Sequence, residues 1–221
     1  MTSIAENFQQ IKSELPENVR LLAVSKLHSE SVIMEAYRAG QRIFGENRVQ
    51  ELLPKYDHLP KDIEWHFIGH LQANKVKYIA PFIHTIQSVD SLKLAETVNR
   101  EAEKNNRKIR VLLQIHIAQE EHKFGFSYEE AEDLFKNHIF NSMENLEISG
   151  LMGMATLTGD YSQIHKEFNR LNNFFKQIKS VYFSCDNSFK ELSIGMSDDY
   201  LTAIEEGSSM IRLGSKIFGS R

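Results

Sequence analysis

The chain has little with which to crosslink itself, nothing long enough to cross a bilayer, and no surplus of positive charge. Cys185 is its single cysteine, so an intramolecular disulfide and a thiolate-based metal site are both excluded, and a reducing compartment is the simplest setting. The surrounding Phe183-Ser184-Cys185-Asp186-Asn187 matches no nucleophile motif, so a buried or incidental thiol is expected. No apolar run approaches the roughly 18 residues of a membrane span. Met1-Thr2-Ser3-Ile4-Ala5-Glu6 has neither the basic region nor the apolar core of a leader, so a cytoplasmic protein without membrane contact is expected. The 26 Lys and Arg against 30 Asp and Glu give a formal charge of -4, which argues against nucleic acid, because phosphate affinity comes from clustered cations. Lys75 and Lys77 read as a solvated helix face. The four prolines and eleven glycines form no linker, and one domain over residues 1–221 is expected.

What is present is a regular alternation of short apolar runs with helical patterns. Strands are expected at Leu21 to Ser25, Arg42 to Gly45, Trp65 to Gly69, His84 to Ser88, Ile109 to Ile117, Leu146 to Met154, Glu191 to Gly195 and Met210 to Gly214. Between them, Val32, Ile33, Ala36 and Tyr37 form one apolar face that ends at Gly40, a natural helix terminator. Ser127 and Glu130 have the spacing of a capping box. Ile164, Phe168, Leu171, Phe174, Phe175 and Ile178 make a buried stripe that leaves Lys166, Arg170 and Lys176 in water. Eight strands in this length leave roughly 25 to 30 residues per βα unit, enough for a closed (β/α)8 TIM barrel. A doubly wound open sheet is the alternative.

In such a barrel the polar residues that follow each strand converge on one face. Here these are Lys26, Glu46 and Asn47, His66, Ser88 and Asp90, Ser193 and Ser197, and Arg212 with Gly214 and Ser215. Lys26 stands one residue beyond the apolar run Leu21-Leu22-Ala23-Val24, at the mouth of the first strand. Most lysines after strands are solvated loop residues, but an amine beside an apolar core is also where Schiff-base lysines are placed. Gly214-Ser215 after the last strand and Gly195-Met196-Ser197 after the seventh each put glycine and hydroxyl ahead of a helical turn. Backbone N–H groups at such turns favour an anion, and barrels often bind phosphate there. Arg212 alternates with Ile211 and Leu213 and so faces the barrel interior, where it needs a partner: an acid such as Glu46, or an acceptor on a ligand.

With those residues in place, the chain resembles the pyridoxal phosphate homeostasis proteins, the YggS/PROSC type, whose fold is the barrel of the alanine racemase N-terminal domain. The resemblance is carried by Ala23-Val24-Ser25-Lys26, Gly45-Glu46-Asn47 with Val49-Gln50-Glu51, and Trp65-His66-Phe67-Ile68-Gly69 followed by Leu71-Gln72 and Asn74-Lys75. Further blocks are Gln87-Ser88-Val89-Asp90, Gly150-Leu151-Met152, Gly195-Met196-Ser197-Asp198 and Ile211-Arg212-Leu213-Gly214 with Ile217-Phe218-Gly219. It implies a covalent Schiff base between pyridoxal 5′-phosphate (PLP) and Lys26, a phosphate held by Ser197, Gly214 and Ser215, and Arg212 facing the pyridine nitrogen. Asn47 and His66 would line the pocket. Several positions depart from the usual pattern: Leu27-His28 for a frequent Thr-Lys, His70 for proline, Ser215 for threonine and His116 for asparagine. The hydroxyl of Ser215 preserves phosphate binding, and the others bear on substrate or partner.

An arginine at the ring nitrogen favours the unprotonated ring and makes a poor electron sink, unlike the acid used by aminotransferases. Related racemases add a second acid/base from a β domain and a dimer partner, whereas this sequence ends seven residues after Gly214. The expectation is therefore a PLP carrier, with no catalytic residue and no metal, that buffers PLP or supplies it to PLP-dependent apo-enzymes as a monomer or weak homodimer. The competing reading is a small amino-acid racemase in which His66 or Tyr200 supplies the second proton. A metal site on His66 and His70 would need helical spacing, and the stretch reads as a strand.

Overall fold

A computed structural model describes residues 3–119 and 124–219. Its eight strands close in chain order into an all-parallel barrel, β1 to β8, with β1 paired to β8, so the open-sheet alternative is ruled out. The strands are β1 (Arg20–Val24), β2 (Ile43–Glu46), β3 (Glu64–Phe67), β4 (Thr85–Val89), β5 (Ile109–Ile115), β6 (Leu146–Gly153), β7 (Glu191–Ser193) and β8 (Met210–Leu213). The helices are α1 (Ile4–Glu14), α2 (Glu30–Arg38), α3 (Val49–His58), α4 (Val76–Ile79), α5 (Leu92–Lys104), α6 (Tyr128–Lys136), α7 (Tyr161–Tyr182), α8 (Tyr200–Glu205) and α9 (Ser215–Phe218). Several expected strands are shortened at their C-terminal ends. Ser25, Ile68 with Gly69, and Ile194 with Gly195 leave the ladder and turn over the barrel mouth. Among the described residues no helix is long and apolar enough to cross a membrane.

Strand alternation divides the buried residues into two environments. Leu21, Ala23, Ile211 and Leu213 face the helical layer and join the large core between sheet and helices. Leu22, Val24 and Met210 face inward and form a small separate cluster with Ile43 and Ile68. The interior also carries polar groups, since Gln87, Ser193, His66 and Arg212 are buried there. At Gly150, between β5 and β7, an added Cβ would lie 1.8 Å from the Glu191 carbonyl oxygen, so only glycine lets these strands meet.

Local signals read from the sequence operate as expected. Gly40 adopts φ +108° after α2, and the Gln41 N–H bonds back to the Ala36 carbonyl. The α7 stripe is buried, while Lys166, Arg170 and Lys176 are exposed. Ser127 Oγ accepts from Glu130 N–H at 3.1 Å and the Glu130 carboxylate accepts from Ser127 N–H at 2.8 Å, completing the capping box of α6. Ser127→Ala is expected to cost about 1 kcal/mol, because it strands helix N–H groups that the hydroxyl now satisfies. At this chain length that corresponds to a fall of roughly 2–4 °C in Tm by thermal denaturation. Cys185 is exposed, so the incidental reading holds and the buried one does not.

Candidate functional site

Lys26 is half-buried and follows β1 on a turn whose shape is set by three contacts. The Ser25 N–H bonds to the Gly45 carbonyl, the His28 N–H returns to the Ser25 carbonyl, and the Leu27 N–H donates to the Glu51 carboxylate at 2.9 Å. Leu27 is held at φ +63°, a left-handed conformation that a branched-chain residue rarely adopts. Beneath the turn, Lys55 Nζ donates to Glu46 Oε1 at 2.7 Å and to the Ser25 carbonyl at 3.0 Å. Ser25 Oγ donates to the same Glu46 oxygen at 2.6 Å. Burial pushes the Glu46 carboxyl up, and the Lys55 and Ser25 bonds oppose that rise. This ion pair is fully enclosed, so losing either partner would leave an uncompensated charge under the lysine turn.

The turn delivers Lys26 to a cavity of about 690 Å³ at the C-terminal mouth of the barrel. The same cavity is lined by Asn47, Ser197, Arg212, Gly214 and Ser215. Six of the seven residues singled out in the sequence therefore meet in one place. Val24, Ile68, Phe124, Met154 and Met196 supply apolar walls. Asn47 Oδ1 is buried without a hydrogen-bond partner among the described residues, so a polar acceptor faces the cavity unused.

Arg212 is buried between β7 and β8, but the acid expected as its partner is elsewhere, since Glu46 is committed to Lys55. Its Nη1 donates to the Ser193 carbonyl at 2.7 Å and to Ser193 Oγ at 2.8 Å, and its Nη2 donates to the Gly153 carbonyl at 3.0 Å. These bonds hold the guanidinium through Nη1 and Nη2. Burial pushes the Arg212 guanidinium down to about 10, with Asp199 acting against that, so it is still charged at neutral pH. From Arg212 a polar chain descends through the barrel. Ser193 Oγ donates to Gln87 Oε1 at 2.7 Å, and Gln87 Nε2 meets His66 Nδ1 at 2.8 Å.

His66 is the correction. It does not line the Lys26 cavity but a smaller one at the opposite, N-terminal mouth, together with Arg20, His84, Thr85 and Arg110. Its register explains this: His66 lies opposite Thr85, the first residue of β4, so it occupies a low layer of the barrel. The inward position above it belongs to Ile68, two residues on, which does reach the upper cavity. Tyr200, the other group considered for racemisation, packs against the core and is likewise absent from the lining. Glu46, Ser88, Asp90 and Ser193 also lie outside it.

The sequence reading missed Gln114, whose Nε2 donates to the Phe124 carbonyl at 2.8 Å beneath the upper cavity. An uncharged polar residue in the buried stretch Val111 to Ile115 of β5 was the available signal. His70 stacks on Phe124 at 3.8 Å between ring centroids and pairs through Nδ1 with Asp90 at 2.8 Å, forming part of the cavity rim.

A parallel barrel with a lysine after its first strand and an inward arginine on its last defines a class, and the alanine racemase N-terminal domain family matches residues 1–221. Alanine racemase from Clostridium difficile shares this fold at TM-score 0.77 and 15% identity, covering 99% of this chain and 56% of that one. More narrowly, the chain belongs to the pyridoxal phosphate homeostasis proteins. The relative so named from Vibrio alginolyticus is 37% identical over 237 residues, covering 100% of this chain and 99% of the relative. PipY of Synechococcus elongatus, solved without PLP, superposes at TM-score 0.92 with 35% identity, over 98% of this chain and all of that one. PipY has also been solved with PLP bound, at TM-score 0.88 with the same identity and coverage.

Proposed function

We propose that this protein binds PLP in the upper cavity, holds it as a Schiff base on Lys26, and serves intracellular PLP homeostasis by buffering the cofactor or supplying it to PLP-dependent apo-enzymes. The observation that carries this reading is that Lys26, Asn47, Ser197, Arg212, Gly214 and Ser215 line one cavity. PipY, a relative with bound PLP, supports it.

The residues fit the group in charge and polarity. Ser197, Gly214 and Ser215 form the phosphate-facing wall, where hydroxyls and backbone N–H groups offer donors to an anion. Arg212 is held by Ser193 and Gly153 and would offer a donor to the ring nitrogen. Asn47 takes a polar edge of the ring with its unused amide oxygen or, reversed, its amide nitrogen. Lys26 Nζ would supply the amine for an imine with the aldehyde carbon, the carbonyl oxygen departing as water. Water reverses the linkage, which suits a reservoir. When bound, PLP supplies an electrophilic carbon and a modest electron sink, the latter weakened by an arginine at the ring nitrogen.

An absorbance spectrum of freshly purified protein, taken before and after borohydride, tests the reading. The expected result is a cofactor band that reduction removes, with a stoichiometric mass gain on the peptide containing Lys26. Incubation with enantiopure amino acids in deuterated water should give no catalytic α-proton exchange. Sustained exchange would replace the carrier with a racemase.

A further inference from the structure

The N-terminal mouth of the barrel holds a second cluster that the PLP reading does not use. Glu64 and His66 are two residues apart on β3 and so share a face, and His84 is brought beside them where its N–H bonds to the Trp65 carbonyl at 3.0 Å. One ligand atom from each of the three lies within 4.8 Å of the others. His66 is 1% exposed, and its Nε2 has no hydrogen-bond partner among the described residues. The other nitrogen of each ring is held from behind: His84 Nδ1 meets Thr85 Oγ1 at 2.9 Å, and His66 Nδ1 meets the Gln87 amide at 2.8 Å. A metal-ligating histidine donates its second ring N–H to an acceptor, a role that Thr85 Oγ1 can fill for His84.

We propose that Glu64, His66 and His84 form a binding site for a divalent transition ion of the zinc type, with its remaining position open to the cavity of about 250 Å³ at this mouth. Two histidines and one carboxylate are a donor set that suits such ions. The site lies at the end of the barrel away from Lys26 and goes beyond the PLP reading without depending on it.

The local charges accommodate the ion. Arg20 holds two carboxylates, Glu64 and Glu191, each at 3.1 Å, so it keeps a partner when Glu64 turns to a metal. Arg110 is paired with Glu147 at 3.0 Å, and Lys190 stands at the exposed rim. Burial, reinforced by His84, Arg20 and Arg110, pushes the His66 ring well down, and burial also lowers His84 against the pull of Glu64. Donors around one tetrahedral zinc sit about 3–3.5 Å apart, given Zn–N distances of about 2.0–2.1 Å, so any pair at the 4.8 Å limit must close by more than about 1 Å. Glu64 and His84 are both half-buried, and His84 Nε2 already faces Glu64 Oε2 at 3.6 Å.

One contact opposes binding and supplies a sharper test. Gln87 presents its Nε2 to His66 Nδ1, which places the ring proton on Nε2. A metal at Nε2 requires that proton on Nδ1, so the Gln87 amide must reverse and offer its oxygen. Gln87→Glu supplies an acceptor outright and should tighten binding.

The experiment is a zinc titration of the protein freed of PLP, in competition with a chromophoric chelator. One equivalent should bind. His84→Ala and Glu64→Gln should each weaken it roughly tenfold or more, Gln87→Glu should strengthen it, and His165→Ala, at the separate pairing with Glu205 and Glu206, should change nothing. A zinc-dependent shift of the His66 ring resonances in the unaltered protein checks the same site without substitution. Absence of stoichiometric zinc, unchanged affinity in His84→Ala, or loss confined to His165→Ala would overturn the proposal.

Discussion

Lys26→Ala is expected to abolish the borohydride-trappable adduct entirely while leaving the unfolding transition of the barrel where it is. The amine lies one residue beyond the Ser25 N–H bond to β2, and it contributes nothing to the strand ladder, which ends at Val24. The turn around it is fixed by backbone bonds at Ser25 and His28 and by the Glu51 contact to Leu27, all of which an alanine retains. Among the described residues, by contrast, the cavity lining offers no other amine for the covalent bond. Lys55 is buried with its amine committed to Glu46 and Ser25, and Lys216 is exposed on α9 outside the cavity lining. Noncovalent binding through the phosphate-facing wall should persist at reduced affinity, so equilibrium dialysis of the variant separates cradle from covalent bond. If mass spectrometry finds an equally stoichiometric reduced adduct in Lys26→Ala, the reactive amine is a different one and the proposed chemistry falls.

The features legible in the sequence were those governed by local periodicity. Each β-run carries its own alternation, so the inward orientation of Arg212 followed from Ile211 and Leu213 without any knowledge of the neighbouring strands. The capping box at Ser127 and the helix stop at Gly40 were equally local. What could not be read was height along the barrel axis. Whether a residue on β3 reaches the upper mouth or the lower one depends on the stagger between strands, which no single strand encodes. His66 was therefore assigned to the wrong end, and the partner of Arg212 was left open between an acid and a ligand. The answer, carbonyl oxygens of Ser193 and Gly153, involves backbone atoms that leave no trace in residue identity. Gln114 was missed for a related reason: a polar residue among buried apolar neighbours gives no hint of which mouth it serves.

The second large effect falls on Arg212. Arg212→Glu should destabilise the fold on the order of 3–5 kcal/mol, read as a fall in the urea midpoint, because it removes a buried charge with three satisfied bonds and installs one with none. The new carboxylate would confront two carbonyl oxygens and the Ser193 hydroxyl. Asp199 lies close enough to influence Arg212, and its carboxyl is already pushed up by burial, so a second acid there adds repulsion. Where the variant stays folded, the bound cofactor should report a different ring nitrogen: a carboxylate favours the protonated ring, whereas a guanidinium, having no acceptor, favours the unprotonated one. The absorbance band and its pH dependence should move accordingly, and α-proton exchange with added amino acids should rise as the electron sink strengthens. Arg212→Gln separates the two consequences, since its amide can still donate to the Ser193 and Gly153 carbonyls but carries no charge. It should recover much of the lost stability without restoring the original spectrum. A cofactor band unchanged in both variants would mean that Arg212 does not face the ring, and that its role is to hold β6, β7 and β8 together at the barrel's closing seam.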